Sequence, residues 1–273
     1  MLDELLAGNI SKFESSLEEE LFCHWGREKL YQLKPVDMAV KLGAESSSLD
    51  GVFIAGYQAS LKFLFADTNY RGWSGFLYAE NSKEFPDFSP TSIVEREKGY
   101  ILSGFKSWVA QSRFVERLIV TVKPERGISY DLGGVVIEKN ANGITVFHRE
   151  SVEFLRNLSQ GWAIFDNVLV THDQMFERDL IEIFRKSESH FMILSILSFL
   201  ISNLISSEKK IPAVLIELCQ NYVQILERGS SEGLEGLGEL RPLVKKSIDI
   251  FCRENRSLEL AWGVDKKFLY MYV

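Results

Sequence analysis

The chain has 273 residues, of which 46% are apolar, enough to bury a sizeable core in one large domain or two intimate ones. A formal net charge of −7 argues against a nucleic-acid groove or an anionic membrane surface as the main partner. The three scattered cysteines, Cys23, Cys219 and Cys252, do not suit a disulfide framework or a zinc cluster and read as buried free thiols in a reducing compartment.

Residues 1–74 read as a helical region. The opening MLDELLAGNISKFESSLEEELF lacks the basic flank and apolar run of a signal peptide, and the expected location is cytoplasmic. Glu18, Glu19 and Glu20 lie between Leu17 and the pair Leu21 and Phe22. Further on, VFIAGYQASLKFLF carries apolar residues at helical intervals. Pro35 and the ESSSLD stretch break the region into pieces, and Ser48 is placed to cap a helix beginning near Leu49.

Residues 75–175 change texture. GFLYAE, TSIVERE, YILSGFKSWV, RLIVTV, GGVVIE, ITVFHR and AIFDNVLV are short β-rich runs, with KPERG and KNANG as turns between them. Many short strands of this kind predict a small antiparallel barrel or sandwich. Within GYILSGFKSWVAQS, residues 99–112, Gly104 reads as the turn between two strands. Period two then puts Lys106 and Trp108 on one face, where by itself the indole reads as filling the core of a β domain.

Residues 176–273 are helical again. FMILSILSFLISNLI, residues 191–205, is apolar almost all round and short for a membrane span; it predicts a helix enclosed by other helices and no membrane crossing. ERGSSEGLEGLGELRP reads as a glycine-rich mobile connection, with Pro242 in the first turn of the last helix. His24, His148, His172 and His190 show no metal-ligand spacing, and no phosphate-binding loop or nucleophile elbow occurs. The expected fold class is α+β: a central antiparallel β domain between two helical regions.

Four segments, in order, carry a family resemblance. Phe76 to Ser82 is similar to F-x-x-T-E-P, and Thr91-Ser92-Ile93 to T-x-A. Gly99 to Ala110 is similar to G-y-x-l-x-G-x-K-x-W-I-T, with Gly104, Lys106 and Trp108 in step. Ile164 to Val170 is similar to a closing l-x-F-d-x-V-x-V strand. Over roughly residues 60–205 the chain thus resembles the acyl-CoA dehydrogenase family. The resemblance implies FAD bound where a β domain meets two helical domains, and oxidation of an acyl thioester at its α–β bond. Trp108 would be the wall beside the flavin, with Phe76, Tyr78, Ala79, Val109 and Ala110 as further cofactor contacts. Alignment of HFMILSILS with members that keep their base in the first helix after the β domain puts Glu188 at the base position.

Several departures from the pattern fall on the chemistry. Ala79 and Ala110 stand where the family has flavin-binding threonines, and Phe85 where a serine faces the substrate. Both helical regions are expected to be shortened, and no Y-E-G-T glutamate follows near the C-terminus. The resemblance therefore implies one of three roles. The first is an FAD-dependent oxidoreductase acting on an acyl-CoA or acyl-carrier thioester with weakened FAD binding. The second is a non-catalytic relative serving as a binding or partner subunit, and the third a flavoprotein with other chemistry such as oxygenation. A homodimer, or a hetero-oligomer with a family relative, is the expected assembly.

Overall fold

Local signals place the first helices. The structure, a computed structural model, describes residues 1–65, 71–97, 99–124, 131–150, 152–229 and 231–273. Helices α1 (Leu2–Leu6), α2 (Glu18–Arg27), α3 (Pro35–Glu45) and α4 (Leu49–Leu64) occupy the N-terminal region. Pro35 opens α3 at a position where its missing N–H removes no helical bond. Ser48, in extended conformation, accepts a hydrogen bond from the Gly51 N–H at 3.4 Å, so the capping expectation holds.

Among the described residues the β segment forms nine strands. They are β1 (Trp73–Leu77), β2 (Ser92–Arg96), β3 (Gly99–Ala110), β4 (Val115–Thr121), β5 (Lys123–Pro124), β6 (Leu132–Glu138), β7 (Ile144–His148), β8 (Gln160–Val170) and β9 (Met175–Glu177). One sheet has the order β1-β4-β6-β9 and the other β5-β2-β3-β8-β7. Most pairs are antiparallel, as expected, but β1 pairs with β4 and β2 with β5 in parallel. The reason lies in the connections: β2 and β3 intervene between β1 and β4 in the other sheet, and this detour frees the pair from hairpin geometry. Residues of both sheets, among them Leu77, Leu118, Val120, Val135, Ile93, Leu102, Val109, Phe165 and Val168, share one core. The KNANG turn is present, with Gly143 at φ 88°, whereas residues 125–127 of the expected KPERG turn lie outside the described residues.

Gly104 is not a turn. It lies inside β3 at φ 128°, and a Cβ there would stand 2.5 Å from Thr91 Cα and 2.7 Å from Pro90 O. The glycine lets a second backbone segment cross the strand closely.

Helices α5 (Asp179–Ser206), α6 (Ala213–Arg228), α7 (Ser231–Gly238), α8 (Arg241–Glu254) and α9 (Arg256–Trp262) follow, and a 3-10 helical stretch, Gly263–Tyr270, comes after them. The apolar run in α5 is buried along nearly its whole length, as its lack of a polar face requires. At one crossing a Cβ on Gly43 of α3 would lie 2.6 Å from the Ser195 carbonyl oxygen, so glycine sets the approach of α3 to α5. The expected mobile connection after α6 contains α7 instead, where Leu234 and Leu237 bury their side chains among the neighbouring helices. Pro242 does begin a helix, α8, but α9 follows it.

Two units result. The helical unit comprises Met1–Asn69, Glu153–Asn157 and Arg185–Val273, and the β unit comprises Tyr70–Val152 and Leu158–Phe184. Within the helical unit, Asp265 Oδ1 accepts from the Leu155 N–H at 2.6 Å, and Asp50 accepts from the backbone and side-chain N–H groups of Asn157 at 3.2 and 3.3 Å. Cys219 and Cys252 are buried thiols, but Cys23 is exposed, contrary to expectation. Its neighbour His24 turns inward to bond Glu45 at 3.1 Å. No group of metal-ligating side chains occurs among the described residues.

Candidate functional site

The site in the β unit begins with a stretch of chain that leaves β1 and is fastened to β3. The Ser107 N–H donates to Ala79 O at 2.9 Å, and the Asn81 N–H donates to Ser107 Oγ at 3.0 Å. Between these two bonds Glu80 turns inward. Lys106, 1% exposed, donates from its ammonium to Glu80 Oε1 at 2.7 Å and to Thr121 Oγ1 at 2.9 Å. Glu80 Oε1 also accepts from the Thr91 N–H at 3.0 Å. Burial alone would raise the Glu80 carboxyl; the hydrogen bond and charge of Lys106, with the Thr91 amide, outweigh it and hold the group below the usual carboxylate range. Burial lowers the Lys106 ammonium, and the hydrogen bond and charge of Glu80 oppose that shift.

Trp108 does not share a face with Lys106. The β3–β8 pairing sets Lys106 opposite Ala163 and Val109 opposite Gly161, leaving an extra residue in β3 between them. One extra residue reverses the alternation of side chains. Lys106 and Val109 consequently both face the core, and Val109 is fully buried. Trp108 turns to the other side with Ala110, the register partner of Gln160, and its indole N–H donates to Gln160 Oε1 at 3.1 Å. The indole is half-buried and Ala110 is buried.

The other predicted residues of this unit divide. Phe76 is buried in β1 and stacks on Phe184 with ring centroids 4.1 Å apart, which makes it a core residue. Tyr78 and Ala79 are exposed just beyond β1. Phe85 sits among rings, with centroids of Phe105 at 5.3 Å, Trp162 at 5.7 Å and Phe88 at 6.4 Å. Trp162 in turn stacks on Phe147 at 5.1 Å. Arg149 ties this cluster to the wall: it pairs with Glu84 at 2.6 Å, donates to Ser107 O at 3.2 Å and lies over the Trp162 ring at 5.6 Å. Gln160, Arg149 and the Lys106–Glu80 pair were invisible as site residues in the sequence. Lys106 and Glu80 each stood in a readable motif, but the two motifs are 26 positions apart and nothing local links them.

In the helical unit, Glu188 lies on α5, half-buried, and desolvation pushes its carboxyl up to about 7 against the opposing charge of Arg185. Its charge helps raise the Tyr272 phenol, whose main cause of elevation is burial. Two positions on, His190 is buried; desolvation first, then the charge of Arg241, lowers it to about 4, so its ring is neutral.

The FAD implied by the resemblance needs a flat wall and polar groups at the ring edge. Trp108 and the small Ala110 beside it suit the wall, and the Gln160 amide with nearby backbone groups suits the edge. The hydroxyls that the resemblance implies are absent at Ala79 and Ala110. The residues present thus fit a planar ring, with fewer side-chain donors to hold it.

No protein-family model matches the sequence, and no curated protein does. Solved structures do. A structure described as an FAD-dependent dehydrogenase matches with TM-score 0.69 at 12% identity, covering 98% of this chain and 91% of that one. A prolyl acyl carrier protein oxidase, AnaB, matches with TM-score 0.68 at 12% identity, covering 99% and 90%. A glutaryl-CoA dehydrogenase from Mycobacterium smegmatis, in complex with FADH2, matches with TM-score 0.57 at 14% identity, covering 99% and 90%. At these identities the likeness is one of fold, and it agrees with the motif order that runs from Phe76 to Val170. This chain has the fold of the acyl-CoA dehydrogenases.

Proposed function

We propose that the protein is a flavin-dependent oxidoreductase whose FAD lies against Trp108 and whose substrate is an acyl thioester carried on CoA or a carrier protein. The observation that carries this reading is the outward-turned, half-buried indole beside Ala110, anchored through Gln160. The names of the structural neighbours, an FAD-dependent dehydrogenase and an FADH2-bound glutaryl-CoA dehydrogenase among them, support it. When bound, FAD accepts the hydride. Glu188 is the base in this reading: a carboxyl raised to about 7 is suited to removing a proton near neutral pH.

A second reading is favoured by Ala79, Ala110 and Phe85: a relative that has lost catalysis and serves as a partner subunit. Two missing hydroxyls, each worth about 0.5–1.5 kcal/mol, weaken FAD binding by about ten- to a hundredfold. Phe85, held by three other rings, fills space where the resemblance implies substrate. In either reading a second copy or an unlike relative seats on the C-terminal helices.

Titration of the purified protein with FAD, followed by flavin absorbance and fluorescence, tests the reading. Weak binding is expected, strengthened about ten- to a hundredfold in the Ala79→Thr/Ala110→Thr variant. Absence of binding in both proteins would sink the flavin reading. Stoichiometric FAD in the freshly purified wild type, with turnover lost in Glu188→Gln, would sink the partner-subunit reading.

A further inference from the structure

The bulge that turns Trp108 outward has a cause on each side of the strand. Ser107, its first residue, is bonded through all three of its polar groups. Its N–H donates to Ala79 O, its hydroxyl accepts from the Asn81 N–H, and its carbonyl accepts from Arg149. The residue immediately before it is Lys106, whose ammonium-bearing side chain is 1% exposed in a β unit with an apolar core. A buried charge is held there only while its partners stay in place. Those partners are Glu80, on the segment that Ser107 grips, and Thr121 on β4, whose hydroxyl donates onward to Leu77 O at 3.2 Å.

We propose that Lys106 is a positioning residue for the Trp108 wall, its ion pair with Glu80 locking the 79–81 segment onto β3 and fixing the bulge that turns the indole outward. The consequence for a ligand rests on the reading that FAD packs on Trp108; the consequence for Trp108 itself does not. Without the pair, Lys106 has no reason to stay on the core face, and the extra residue is free to slip along β3. Such a slip carries Trp108 to the wrong side of the sheet. The ion pair therefore acts on FAD through the placement of the indole and of the 79–81 backbone.

The test uses two near-isosteric variants of the full chain, Lys106→Met and Glu80→Gln, in fluorotryptophan-labelled protein. Fluorine NMR reports each tryptophan separately, and Trp108→Phe identifies the resonance of interest. In both variants the Trp108 resonance is expected to move while those of the remaining tryptophans hold their positions. FAD affinity is expected to fall roughly tenfold, a loss of about 1.4 kcal/mol. If Lys106→Met does not fold, Glu80→Gln, which keeps the shape and loses the charge, decides alone. A Trp108 resonance that stays in place, or one that moves while FAD binds as tightly as before, overturns the proposal. A wild type that does not bind FAD, with a Trp108 resonance that still moves in the variants, overturns the flavin reading and supports the positioning role.

Discussion

Glu188 and His190 lie two residues apart on α5 and titrate in opposite senses. The Glu188 carboxyl is raised from 4.5 to about 7 by desolvation. The folded state holds its proton longer than the unfolded chain, so the stability this group contributes is complete below about 4.5 and is lost as the pH rises through about 7. His190 is lowered from 6.5 to about 4, chiefly by burial. Its contribution is complete above about 6.5 and is lost as the pH falls through about 4. The two slopes partly cancel in the wild type. Glu188→Gln should therefore raise the thermal midpoint more at pH 8 than at pH 5, and His190→Phe should remove much of the acid sensitivity, both read by thermal melts across pH. A Glu188→Gln gain independent of pH would show that the carboxyl is not raised.

At the level of elements, β3 does most of the positioning in the β unit. Its positive-φ glycine admits the 90–91 backbone, whose Thr91 hydroxyl donates to Phe105 O at 2.7 Å. Gly104→Ala adds a Cβ 2.5 Å from Thr91 Cα at φ 128°, so a backbone segment has to shift to admit it. The expected loss is about 3 kcal/mol in chemical denaturation, combining the strain of a non-glycine residue there with the clash. A loss below about 1 kcal/mol would mean that the crossing relaxes freely. Along the same strand, the bulge at 107–108 explains why simple alternation misplaces Trp108, whereas the uninterrupted pairing of β2 with β3 follows alternation throughout.

For the whole molecule, the apolar run of α5 needs no second chain to cover it, because its own chain already does. The case for assembly rests instead on Leu243, Leu260 and Met271, which are 45%, 71% and 59% exposed on the C-terminal helices and beyond them. Isolated exposed side chains of this kind are common on monomers, so association has to be measured. We expect sedimentation at micromolar protein to show a dimer that Leu260→Glu weakens. A wild type that sediments as a monomer, and captures no family relative when mixed with one, would remove both assembly proposals.

Much of this protein is determined by signals that act over one or two turns of chain. Periodicity places α2, α4, α5 and most strands; Ser48 and Pro35 set helix starts; a run without a polar face, residues 191–205, must be enclosed. Each depends only on neighbours in sequence, so each is legible there. The chain order of the motifs also identified the fold. The candidate site belongs to the other kind of information. The partner of Lys106 is 26 residues away and that of Trp108 is 52, and the bulge exists only because β3 and β8 are paired in a particular register. The parallel pairing of β1 with β4 and the burial of α7 likewise depend on what lies across from them. Which face a side chain takes in a sheet is settled by cross-strand partners, and one inserted residue reverses it. For that reason only the tertiary structure decided that the indole points outward and the lysine inward.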